Sequence, residues 1–120
     1  MQQFDVPIVR KTYELHQTLH DFQRTIPKAD RYTIWQRCEN RSLEILEGFI
    51  RTTYLPQNMR PQHLLNISAH VDMLRIFIRL CFDVKAISQK KFIDLQAKVD
   101  EIGRMLGGWI KSLKPKAPPQ

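Results

Sequence analysis

The chain has 120 residues, of which 42% are hydrophobic and 26% charged. This fits one folded domain and is too short for two. Its net charge of +7 allows two interpretations, an anionic partner or plain solubility. No apolar run reaches the roughly 18 residues of a membrane span, and the N-terminus lacks the pattern of a signal peptide, so the sequence predicts a cytoplasmic protein with no membrane contact.

Prolines divide the chain into four stretches with helical spacing of apolar residues. Pro7 suits the first position of a helix, and Asp5 just before it is the expected cap. Pro27 ends this first helix, and Asp30 is the expected cap of the second. The predicted segments are a lead (1–6), four helices (about 7–26, 30–54, 62–85 and 88–113) and a Pro/Lys tail (114–120) that we expect to be flexible.

The third predicted helix is apolar around most of its circumference. A helix of this kind is buried on most sides, so it lies centrally in the domain or also meets another subunit. The fourth helix, which Ser88 can cap, has apolar residues that alternate by three and four from Phe92 to Leu113. With no strand pattern anywhere, the sequence predicts an all-α fold, an antiparallel up-down-up-down four-helix bundle.

Histidine and cysteine are the candidates for chemistry. His16 and His20 stand four apart, a spacing that can chelate a metal, but no third ligand is evident and a polar helix flank is the simpler interpretation. Cys38 and Cys81 fit reduced core residues, with a disulfide as the alternative. No phosphate-binding loop or nucleophile elbow occurs. The sequence therefore predicts no enzyme, no metal and no cofactor.

Charge differs between the two ends of an alternating bundle. The end with the first and third turns carries Arg24, Lys28, Arg31, Lys85, Lys90 and Lys91, with Asp21, Asp30, Asp83 and Asp94 to offset them. The other end carries Arg10, Lys11, Arg51, Arg60, Lys111, Lys114 and Lys116, with only Asp5 and Glu14 nearby. We expect this second end to be the more basic and to contact nucleic-acid phosphates without reading bases. The candidate binding cations are the seven of this second end together with Arg24, Lys28, Arg31, Arg37 and Arg41.

The glycines of the fourth helix need a reason, because each weakens a helix by about 1 kcal/mol relative to alanine. Gly103 and Gly107 are four apart, which lets another backbone approach closely. Packing inside the bundle and contact with another subunit are both open interpretations. The predicted oligomer interface consists of Arg75, Arg79, Gly103, Gly107 and Trp109.

Three features together resemble a known family. They are Pro27-Lys28, the Leu74-Arg75 step with Arg79, and the run IGRMLGGWI at residues 102–110. They resemble the four helix bundle protein family, which includes the accessory variability determinant (Avd) of diversity-generating retroelements and proteins encoded in intervening sequences of ribosomal RNA genes. The resemblance covers about residues 7–113.

The resemblance implies a homopentamer, a barrel of four-helix protomers around a central channel. For the Avd branch it further implies a basic surface that binds the reverse transcriptase and its template RNA. The accessory protein itself does no chemistry and supports mutagenic cDNA synthesis. The basic charge and the Leu-Arg-x-x-x-Arg step favour this branch. The alternative is the intervening-sequence type, a self-associating structural module without a nucleic-acid role.

Overall fold

The computed structural model describes residues 5–113. Its helices are α1 (Pro7–Phe22), the one-turn α2 (Lys28–Arg31), α3 (Ile34–Thr52), α4 (Arg60–Asp83) and α5 (Gln89–Ser112), with 3-10 turns at Gln23–Thr25 and Gln57–Met59. These residues contain no strand, so the all-α prediction is confirmed. Within the same range no helix has the length and apolar character needed to cross a membrane. The predicted tail, 114–120, lies outside the described residues.

The helix starts show which predicted caps form. Pro7 occupies the first turn of α1 as predicted, but Val6 is the cap residue and makes no side-chain bond, so the prediction for Asp5 is wrong. Asp30 lies inside α2, with its backbone N–H donating to the Pro27 carbonyl at 2.9 Å, and therefore caps nothing. Ser88 does cap α5, because its Oγ accepts from the backbone N of Lys91 at 3.2 Å.

The four long helices pack around one apolar core. α1 contacts α3 and α5, and α4 contacts the same two helices, so each long helix has two neighbours. Trp35 and Phe49 of α3, Leu74 of α4 and Leu95 of α5 are fully buried in this core. Each such side chain contributes about 1.5–3 kcal/mol through removal from water. This arrangement is compatible with the predicted four-helix bundle.

Helix α4 buries one stripe and exposes another. The buried stripe runs from Leu64 through Leu74 to Cys81. The outward stripe consists of Leu65, Met73, Ile76, Leu80 and Val84, which are 40–61% exposed. The chain therefore does not cover α4 on most sides by itself, and central burial within one bundle does not explain its apolar character.

Cys38 of α3 and Cys81 of α4 face each other in the core. Both are buried free thiols with their Sγ atoms 3.8 Å apart, which confirms the prediction of reduced core residues. The hydrogen bond with Cys81, followed by burial, raises the pKa of Cys38. The thiolate is the reactive form, so Cys38 is unreactive in the folded chain.

Candidate nucleic-acid interface

One end of the molecule gathers the start of α1 and the end of α5. Val6, Pro7 and Ile8 line a shallow apolar pocket of about 210 Å³ together with Met105 and Trp109. The end of α3 joins them, because the rings of Phe49 and Trp109 lie 6.3 Å apart. We call this the Pro7 end and define its cations as Arg10, Lys11, Arg51, Arg60 and Lys111.

Most cations of the Pro7 end already have partners. The ion pairs are Arg10 with Asp5 at 3.7 Å, Lys11 with Glu101 at 3.4 Å and Arg51 with Glu47 at 2.6 Å. Arg60 instead donates to the backbone carbonyls of Leu55 and Thr53, at 2.9 and 3.4 Å. Lys111 is exposed and has no ion pair within residues 5–113. The predicted binding residues Lys114 and Lys116 lie outside the described part of the chain.

The opposite end gathers the last turns of α1 and α4 with the first turn of α5. Lys91 Nζ lies 2.5 Å from Thr25 Oγ1 and 5.0 Å from the centre of the Phe22 ring. Phe82 and Phe92 stack at 4.5 Å across the turn between α4 and α5. We call this the α2 end and define its cations as Arg24, Lys28, Arg31, Lys85, Lys90 and Lys91.

Helix α2 lies close to the end of α4, as the Cys81 thiol shows. The hydrogen bond with Cys38 lowers the pKa of Cys81, while burial and the negative charge of Asp30 act in the raising direction. The packing agrees with this, because α2 contacts α3, and Cys38 of α3 lies against Cys81 with the two Sγ atoms 3.8 Å apart. This places the cations of α2 and those of the α4–α5 turn at one end of the molecule.

Two of the four acids expected to offset the cations of the α2 end form ion pairs with other residues. Asp83 pairs with Arg79 at 3.0 Å, and Asp94 pairs with Lys98 at 2.9 Å, each within its own helix. Asp21 forms no ion pair with Arg24 in the described chain, although they stand three apart. Of these four acids, Asp21 and Asp30 have no ion pair in the described chain. Glu39, which accepts a hydrogen bond from Gln23 Nε2 at 3.4 Å, is a third acid near this end without an ion pair among those residues.

Most cations of the α2 end therefore have no ion-pair partner in the described chain. Arg24, Lys28, Lys85 and Lys90 are exposed, and none has a carboxylate within 4.0 Å among residues 5–113. Arg31 is the exception, since its Nη2 donates to the Ile26 carbonyl at 3.1 Å. The structure thus differs from the sequence-based expectation, because uncompensated charge in the described chain is concentrated at the α2 end.

Arg37 and Arg41 lie in the first two turns of α3. Their guanidinium carbons are 5.7 and 5.6 Å from the centre of the Phe77 ring, on the face shared by α3 and α4. Arg41 also contacts Glu44 at 3.6 Å and the His70 ring at 2.5 Å. Both arginines are held in place by these contacts, and they form a separate basic spot on the side of the molecule.

The predicted interface residues have different surroundings. Arg75 bridges Asp72 and Asp100 at 3.0 and 3.1 Å, and a Cβ added at Gly103 would lie 3.0 Å from its Nη2. Gly103 therefore accommodates a side chain of α4 rather than a backbone. A Cβ at Gly107 would meet nothing within 4 Å.

Two further interface candidates have partners within the chain. Arg79 is paired with Asp83 on the surface of α4. Trp109 is only partly exposed and packs against the core next to Phe49. Of the five predicted interface residues, Gly107 is thus the one with open space around it in the described chain.

His16 takes part in the packing of α1 on α3. Its Nδ1 lies 2.6 Å from Ser42 Oγ, and burial, followed by the charge of His20, lowers its pKa. Residues 5–113 contain no group of three His, Cys, Asp or Glu side chains arranged to hold a metal ion. The groups on this surface that can bind a ligand are therefore its exposed lysine and arginine side chains.

The comparison with known proteins agrees with these features. No similar protein is found among the curated proteins. A family model described as bAvd-like matches residues 6–113. The match spans all four long helices and includes the motifs from which the sequence predicted the Avd four-helix bundle family, so that prediction is confirmed. The chain therefore belongs to the bAvd-like family.

Proposed function

We propose that this chain is a non-enzymatic accessory protein of a diversity-generating retroelement. In this role it binds the reverse transcriptase and its template RNA through basic surface and supports mutagenic cDNA synthesis. The observation that carries the proposal is the bAvd-like match over residues 6–113. The net charge of +7 supports it, because clustered lysines and arginines attract phosphates and release their counterions.

The proposal includes an antiparallel bundle that assembles into a homopentamer. Its support is the outward stripe of α4, in which Ile76 is 61% exposed and Leu65 and Val84 are 51% and 50% exposed. An apolar row of this length on one helix is typical of a protein interface. Five copies of a chain with net charge +7 would also concentrate the positive field that attracts RNA.

Analytical ultracentrifugation of two matched variants tests the assembly. Ile76→Glu places a charge in the centre of the outward stripe, and Ile93→Glu places one on α5 at a residue that is 58% exposed and outside the stripe. We expect the wild-type chain and Ile93→Glu to sediment as pentamers and Ile76→Glu as a smaller species. A wild-type monomer at micromolar concentration, or an unchanged Ile76→Glu pentamer, would contradict this part of the proposal.

Fluorescence anisotropy with a labelled single-stranded RNA tests the electrostatic part. We expect binding at about 50 mM salt and a steep loss of affinity as salt increases. Absence of binding, or an affinity insensitive to salt, would contradict RNA binding through phosphates. A discrete oligomer without RNA affinity would instead match the intervening-sequence type of the family.

The role in cDNA synthesis is tested with the polymerase itself. The reverse transcriptase of the same element is assayed on its template RNA with and without this protein. We expect cDNA from the template only when the protein is present. Equal synthesis without it would contradict the accessory role.

A further inference from the structure

We propose that RNA phosphates bind at the α2 end, on a patch formed by Arg24, Lys28, Lys85, Lys90 and Lys91. The inference rests on the proposed function and adds the surface that performs it. The sequence alone favours the Pro7 end for phosphate contact, and this inference favours the α2 end instead. The patch combines residues from the turn after α1, from α2, from the α4–α5 turn and from the first turn of α5.

The patch is held together by contacts among these elements. Lys91 joins α5 to the end of α1 through Thr25 Oγ1 at 2.5 Å and the Phe22 ring at 5.0 Å. The stacked rings of Phe82 and Phe92 fix the turn that carries Lys85. The cations therefore do not depend on a single loop for their relative positions.

Positive charge at the patch is free to bind a ligand. Arg24, Lys28, Lys85 and Lys90 are exposed and have no ion pair in the described chain, whereas Arg10, Lys11 and Arg51 at the Pro7 end are each paired with a carboxylate. A cation that already contacts a carboxylate must lose this contact or share it when it binds a phosphate. The α2 end is therefore the surface where RNA encounters the least internal competition.

The backbone places Lys85 in a conformation that suits glycine. Its φ is 66°, and it is the only residue other than glycine with a positive φ among residues 5–113. The N–H of Ala86 donates to the Cys81 carbonyl at 2.8 Å, the bond that closes a helix whose last turn ends in a left-handed residue. Glycine fits this backbone conformation best, while the dipole of α4 favours a cation at its C-terminal end, so the turn holds the charge of Lys85 in the patch.

Lys90 and Lys91 are also unfavourably placed for the helix that carries them. Both lie in the first turn of α5, which contains no acidic residue, and the helix dipole disfavours cations there. An anion bound beside them would offset this repulsion. Four of the five patch residues are lysines, which contact phosphate oxygens as point charges without the paired geometry that arginine uses. This composition fits a nucleic-acid backbone.

Two triple variants with the same change in charge test the inference. The first is Lys28→Glu, Lys85→Glu and Lys90→Glu at the patch. The matched control, Arg10→Glu, Lys11→Glu and Lys111→Glu, changes the Pro7 end. The affinity of the 120-residue chain for a labelled single-stranded RNA is measured against salt, and circular dichroism and sedimentation monitor folding and assembly.

We expect the patch variant to lose about 100-fold in affinity at about 0.1 M salt, and its log–log salt slope to fall by about 2 units, since three phosphate contacts release roughly 0.7 counterion each. The control should lose far less. Equal losses in both variants would overturn the inference, as would a larger loss in the control. Unchanged RNA affinity of the patch variant would also overturn it, whether or not that variant still binds the reverse transcriptase.

The outcomes separate this inference from the proposed function. A wild-type chain that binds RNA while the patch variant binds equally well refutes the patch alone, whereas a wild-type chain that does not bind RNA refutes both. If the glutamate triple does not fold, Lys28→Gln, Lys85→Gln and Lys90→Gln remove the same three charges without reversing them. This variant should show the same loss in salt slope, and an unchanged slope would overturn the inference.

Discussion

Gly107 gives the sharpest test of the packing around α5. It is an exposed residue within the helix, and a Cβ added there meets nothing within 4 Å. Alanine is favoured over glycine in a helix interior by about 0.8–1 kcal/mol. With no contact to oppose this gain, Gly107→Ala should raise the free energy of unfolding of the chain by about 1 kcal/mol. At a urea m-value of about 2 kcal/mol/M, the midpoint rises by about 0.5 M.

Gly48 in α3 is the matched contrast. A Cβ added there would lie 2.9 Å from both Cδ1 and Cγ1 of Ile67, which is only 3% exposed and has little room to move. Overpacking of a core typically costs about 1–3 kcal/mol, which exceeds the gain in helix propensity. Gly48→Ala should therefore lower the urea midpoint, so the same substitution has opposite signs at two helix positions.

Urea unfolding followed by circular dichroism, at one protein concentration, compares both variants with the wild-type chain. Sedimentation of the same samples shows whether the added Cβ disturbs a subunit contact at Gly107. A gain in folding stability with a weaker oligomer would assign Gly107 to the interface. A lower urea midpoint for Gly107→Ala with an unchanged oligomer would contradict open space at Gly107, as would shifts of the two variants in the same direction.

Three further predictions concern α5, α1 and the core. Ser88→Ala removes the cap bond to α5 and should cost about 1 kcal/mol in urea unfolding, whereas Thr33→Ala before α3, where no cap bond forms, should cost less. Burial lowers the pKa of His16 below 6.5, so the unfolded chain protonates first and stability should fall as pH decreases below 6.5; urea midpoints against pH should show this fall, and His16→Gln should reduce it. The buried thiols of Cys38 and Cys81 should resist iodoacetamide in the native chain and react once it is unfolded, as mass spectrometry of the alkylated protein would show.

Most of the helical pattern could be predicted because apolar spacing and proline act locally. Pro7 and Ser88 have the predicted roles at the starts of α1 and α5. Asp5 and Asp30 do not, because a cap needs both a suitable residue type and an extended backbone at the right position. Pro27 starts the short α2 early, so Asp30 falls within it. The sequence shows which residue types could cap a helix, but it did not predict the one-turn helix α2.

Ion pairs within one helix were predictable and those between helices were not. Glu47 with Arg51 follows helical spacing and forms at 2.6 Å. Asp100 stands four residues before Arg104 on α5, the same helical spacing, but it contacts Arg75 of α4 at 3.1 Å. Gly103 has no Cβ to obstruct this guanidinium, which gives that glycine a role that spacing alone did not reveal. Contacts of this kind depend on how two helices face each other.

The distribution of net charge and that of available charge are different properties of this protein. Counting residues near each end favours the Pro7 end, since it has more cations and fewer acids. Yet Asp83 and Asp94 pair along their own helices with Arg79 and Lys98, while Asp5 and Glu101 pair with Arg10 and Lys11 of the Pro7 end. An acid therefore neutralises the surface toward which its side chain points, and not the end at which its Cα lies. The cations that lack internal partners in the described chain are concentrated at the α2 end, and this is why the RNA contact is proposed there.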